Sequence, residues 1–78
     1  MDEETLLAMA ERHVKEGGQR LARQAELIAQ LAREGHDALL PEARRLLAEM
    51  QKIQAQFEQD LLVRREAAER LSRNTPTV

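Results

Sequence analysis

Few residues in this chain could do chemistry, and each has a structural alternative. His13 is followed by Glu16, and a histidine and a carboxylate on one helical face could hold a metal. A di-metal bundle asks for Glu three residues before His on two helices. Ala10 and Arg33 stand at those places before His13 and His36. His13 therefore reads as an interface-edge residue. His36 reads as a turn residue, beside a helix C-terminus where imidazolium is favoured. Gln24 is a polar residue in an apolar row, a position that often sets register or oligomeric state. Arg44-Arg45 and Arg64-Arg65 could touch phosphates. Glu42, Glu49, Asp60, Glu66 and Glu69 surround them, and no aromatic residues interleave for base stacking. Nothing resembles a phosphate loop or a nucleophile–base pair. The expectation is no enzyme, no catalytic, metal or cofactor site, and no evident small-molecule substrate.

The elements that carry these residues follow from composition. The 78 residues contain no cysteine, one aromatic (Phe57), three glycines and two prolines. Ala, Leu, Glu, Arg and Gln dominate, as in long helices and coiled coils. A chain this short has little core of its own, and without disulfides or a metal it needs oligomerisation. Net charge is −2 and well mixed. That disfavours nucleic acid and anionic membranes as partners. The acidic Met-Asp-Glu-Glu-Thr start shows no secretory signal, and no apolar run approaches the roughly 20 residues of a membrane span. The expected location is the cytoplasm.

Helix 1 is expected over about 2–34. Asp2 is placed to cap it, and Glu3 and Glu4 suit its positive end. Its seam alternates three-four through Leu7, Ala10, Val14, Gly17, Leu21, Gln24, Ile28 and Leu31. Glu11–Lys15, Arg12–Glu16 and Glu16–Arg20 offer supporting pairs. Gly17-Gly18 should each cost about 1 kcal/mol relative to Ala. Close packing against a bulky residue is one reason for them; a kink is the other.

Residues 35–37 form the expected turn. Gly35 is placed to end helix 1 in a left-handed conformation, and Asp37 to cap helix 2. Pro41 belongs in a first helical turn. Either Asp37 caps a turn containing it, or regular helix begins only near Leu40–Pro41. Helix 2, about 38–73, carries Leu39, Leu40, Ala43, Leu46, Leu47, Met50, Ile53, Phe57, Leu61, Ala68 and Leu71. Read through Ile53 and Phe57, the spacing breaks at Leu61 in a small stutter. Asp60–Arg64 and later pairs support its distal part. Asn74 and Thr75-Pro76 should close it, leaving 75–78 disordered.

A short connection makes the helices antiparallel neighbours. Folding at Gly35–His36 sets Ile28 against Leu46, Gln24 against Met50, Leu21 against Ile53, and Gly17 against Phe57. The expected core and interface set is Leu7, Val14, Gly17, Leu21, Gln24, Ile28, Leu31, Leu46, Met50, Ile53, Phe57 and Leu61. Leu6, Leu27, Leu40, Leu47 and Leu62 are left over. The expected fold is all-α: a single antiparallel two-helix hairpin over 1–74, dimerising into a four-helix bundle.

The stretch His13 to Leu31, with its Glu16-Gly17, Arg20, Arg23-Gln24 and Leu27-Ile28, followed by Gly35-His36-Asp37, resembles a pattern in short alphaproteobacterial helical-hairpin proteins. Leu46-Leu47 and the charged ending from Phe57 to Leu71 extend the likeness over most of the chain. The start of helix 2 at Leu40-Pro41 departs from it. The resemblance implies a bacterial cytoplasmic origin and supplies no activity. The functional expectation is a self-association or protein-interaction module. The alternatives are an obligate regulatory or antidote-like subunit of another helical protein and, behind that, a nucleic-acid accessory.

Overall fold

The computed structural model describes residues 3–73, with side chains from Thr5 onward. The chain is an antiparallel pair of long helices: α1 (Glu3–Arg33) and α2 (Leu40–Arg73), joined by a 3₁₀ turn over Asp37–Leu39. The expected Asp2 cap, the Asn74–Pro76 ending and the 75–78 tail lie outside the described residues. Helix α1 runs unbroken through Gly17-Gly18, so the glycine pair does not divide it in two.

The turn follows from one glycine. Gly35 has φ +74°, a left-handed conformation open to a residue without Cβ. The Gly35 N–H donates to Ala32 O at 3.3 Å, and the His36 N–H donates to Leu31 O at 2.9 Å. This pair of bonds is the Schellman ending, which uses carbonyls that α1 leaves free. His36 occupies the N-cap of the 3₁₀ turn without a side-chain cap bond, and Asp37 is the first residue inside it. The expectation of an Asp37 cap is therefore displaced by one residue. Regular helix starts at Leu40, so Pro41 falls in the first turn of α2, where its missing N–H costs nothing.

That ending also sets the register. The residue numbers of partners across the pair add to between 67 and 74: His36–Leu31 to 67, His13–Phe57 to 70, Gly17–Gln54 to 71 and Gly17–Phe57 to 74. Gln24 and Ala43, joined by a hydrogen bond, also add to 67, and Gln54 and Val14 to 68. Folding about Gly35–His36 implies sums near 74, at the upper end of that range, where the expected Gly17–Phe57 contact is found.

Helix α2 needs a second correction. Its buried positions are Leu40, Gln54 and Leu61, with Ala43, Leu47, Met50 and Phe57 half-buried between them. This row alternates three-four without interruption, so the stutter disappears. The row reads as broken only when Leu46 and Ile53 stand in for Leu47 and Gln54. Leu46 and Ile53 are 50% and 49% exposed and sit one position outside the seam. Leu40 and Leu47, expected as surplus, belong to it.

Candidate interaction surface

Two glutamines tie the helices together. Gln24 on α1 donates its Nε2 to the Ala43 carbonyl of α2 at 2.9 Å. Gln54 on α2 donates its Nε2 to the Val14 carbonyl of α1 at 2.9 Å. They are 9% and 7% exposed. Burying an amide is costly unless it is hydrogen-bonded, and each bond adds about 1 kcal/mol net while fixing register. The arrangement is nearly twofold. Gln24-Ala25-x-Leu27-x-x-x-Leu31 is echoed by Gln54-Ala55-x-Phe57-x-x-x-Leu61 thirty residues later.

Gly17 is explained by the second of these residues. The Gln54 amide oxygen occupies the space in which a Gly17 side chain would begin, and its Cδ lies 3.0 Å from that point. Phe57, the expected neighbour, comes next at 3.4 Å. Close packing is thus the reason for Gly17, with an amide as the principal partner and the ring second. The Gln54 Oε1 is buried and finds no hydrogen-bond donor among the described residues. The Phe57 ring also meets the His13 imidazole, with centroids 5.3 Å apart and planes inclined by 32°. His13 is therefore an edge residue of the helix pair, as its position implies.

The remaining expected core residues divide by depth. Gly17, Gln24 and Leu61 are buried. Leu7, Val14, Leu21, Ile28, Leu31, Met50 and Phe57 are half-buried. The hairpin covers no large side chain completely among the described residues.

Part of the apolar surface that the hairpin leaves open lies along one flank. A cavity of about 380 Å³ is bounded by Leu27, Leu31, Leu39 and Leu46, with Glu42 and Glu49 at its rim. A second, of about 260 Å³, follows along the same side between Gly17, Arg20, Met50, Ile53 and Phe57. Together they form an apolar groove from the turn to the middle of the rod. The helical period places the residues of the other flank. There α1 carries Gly18, Ala25 and Ala32, and α2 carries Arg44, Gln51, Glu58, Leu62 and Arg65, all exposed, Leu62 by 51%.

The charged pairs seen on α2 among the described residues lie within that helix. Arg64–Asp60 closes at 3.6 Å, as expected from its spacing, while Arg45–Glu42 and Lys52–Glu49 close at 3.3 and 3.5 Å. The pairs expected on α1 do not form. Exposed ion pairs contribute little in any case. Among the described residues no cluster of three or more His or acidic side chains could hold a metal, and no helix is long and apolar enough to cross a membrane.

No family model, curated protein or solved structure matches the chain. The likeness to short bacterial hairpin proteins rests on the sequence pattern alone.

Proposed function

We propose that this hairpin is a non-catalytic self-association module that dimerises through its apolar groove into a four-helix bundle. The observation that carries the reading is the surface left open. The radius of gyration is 18.3 Å, against about 11–12 Å for a compact domain of this length. The accessible surface is 6116 Å², about 1,300 Å² more than a compact monomer of 8.9 kDa exposes. Covering that excess on two chains would bury roughly 2,600 Å², within the range of obligate homodimers. Leu27, Leu39, Leu46 and Ile53 carry part of that excess in the groove, and Leu62, Val63 and Leu71 carry more outside it.

The polar groups support the same reading. The two buried amides are engaged with backbone carbonyls, so they serve helix pairing and present no converging donors to a ligand. Sedimentation analysis over a wide concentration range tests the proposal. It predicts a helical dimer that dissociates only on dilution, with loss of helicity. A chain that is unfolded alone and becomes helical only with a different helical protein would point to the obligate-subunit alternative.

A further inference from the structure

We infer that Gly35 and Pro41 hold the chain folded back on itself against a straight form, in which α1 and α2 would run on as one helix and pair with other copies. The ties across the seam do not choose between the two forms. Gln24 donates to the Ala43 carbonyl, Gln54 donates to the Val14 carbonyl, and His13 meets Phe57, each joining α1 to α2. Straight chains lying antiparallel could form the same ties between copies. Such an exchange is domain swapping, and the segment between the helices decides whether it happens.

Only residues 34–39 separate α1 from α2. Among the described residues Gly35 alone has a positive φ. A side chain begun there would meet nothing within 4 Å. The left-handed backbone, and not crowding, is therefore what alanine would disturb. Inside a continuous helix the same glycine is unfavourable. Pro41 acts in the same sense. In the turn the Asp37 carbonyl accepts the Leu40 N–H. A continuous helix would give that carbonyl to residue 41, where proline has no N–H and its ring clashes with the carbonyl. In the first turn of α2 the proline carries no such penalty.

Phase shows what straightening would produce. The deepest residues of α1 are Ala10, Gly17 and Gln24, seven apart. On α2 Leu40, Gln54 and Leu61 keep the same period, two residues out of step with the α1 row carried forward. At 3.6 residues per turn that offset is about 200°. In one straight helix the two halves of the seam would face nearly opposite ways. A second straight chain would cover one half of each, a third would be needed for the other, and the assembly would grow sideways without closing. Folding back at the turn lets each chain finish its own seam.

The absence of cysteine in the sequence allows a direct test. Ala8→Cys and Ser72→Cys place a donor and an acceptor dye on exposed sites near the open end of the hairpin. Labelled chains diluted into unlabelled ones report the distance within a single chain. Folded back, the two sites lie within about 30 Å; in a straight chain they lie about 95 Å apart at 1.5 Å per residue. Gly35→Ala strains the bent turn, and Pro41→Ala relieves the straight helix. The double variant should therefore lose energy transfer while staying helical, and its mass in sedimentation should climb past two chains as concentration rises. A double variant that keeps the transfer and the mass of the parent overturns the inference, as does one that loses its helicity. Lost transfer with a mass fixed at two chains overturns the phase argument and keeps the role of the turn. Whether the parent itself is one chain or two does not enter, so the groove and the turn are tested separately.

Discussion

The two flanks of this hairpin share one seam and differ in what they add to it. On one flank the next residues out are Gly18, Ala25 and Ala32 facing Arg44, Gln51, Glu58 and Arg65. These are small, polar or charged side chains, with one exposed apolar residue, Leu62, between Glu58 and Arg65. On the other flank they are Leu27, Leu39, Leu46 and Ile53, each near half exposed. A two-helix unit is flat and has two sides to cover. Here one side is finished by its composition and the other is left to be finished by another molecule. The seam itself is polar at its two deepest tie points, Gln24 and Gln54. It fixes how the helices meet more than how strongly they hold together.

That asymmetry can be broken most forcefully by charging the open flank. Ile53→Glu should raise the dimer dissociation constant by about a hundredfold or more, because an unpaired carboxylate would have to be buried. Gln51→Glu, two residues away on the finished flank, should leave it within a few-fold. Sedimentation on the two variants reads the contrast, and equal effects would show that the flanks are equivalent.

Truncating the ring tests whether the groove is covered. Phe57 is only half-buried in the hairpin. Phe57→Ala should cost about 3–5 kcal/mol in denaturant unfolding if a second copy completes its burial. A loss below about 1 kcal/mol would mean the ring stays wet.

The seam contributes a smaller effect. Gly17→Ala should cost no more than about 1 kcal/mol, because its Cβ displaces the far end of Gln54 and that residue's bond to Val14 while the helix gains about 1 kcal/mol from alanine. Gly17→Leu should cost more. Combining Gly17→Ala with Gln54→Ala should restore part of the loss, and the melting temperatures of the single and double variants show it. Strict additivity would place the strain elsewhere. The smallest effect belongs to the finished flank, where Ala25→Lys should change stability by less than about 0.5 kcal/mol.

Much of this architecture is legible in the sequence, and the missing parts share one cause. The α1 seam can be followed from Leu7 to Leu31, and Gly35 marks the end of that helix by its conformational freedom. Gln24 is readable because apolar neighbours bracket it at three and four residues. Gln54 occupies an equivalent place on α2 and is missed, because Ile53 beside it is the more obvious core candidate. A hydrophobic residue attracts the reading even where the period points one residue further on. The signal that finds Gln54 is the heptad drawn through Leu40, Leu47 and Leu61, together with the repeated Gln-Ala-x-x-x-x-x-Leu spacing. Register is legible only to within a few residues, for a different reason. It depends on which carbonyl the His36 N–H reaches, a backbone detail that side-chain patterning does not carry. The open groove is then a consequence of both: once Gln54 takes the seam, Leu46 and Ile53 are turned outward.

The most direct test of the account is the mass of the chain in solution from the nanomolar to the hundred-micromolar range, with helicity followed in parallel. A dimer whose helicity falls as it dissociates is the predicted result. A monomer that stays fully helical across the whole range would contradict it, because the open flank would then need no cover.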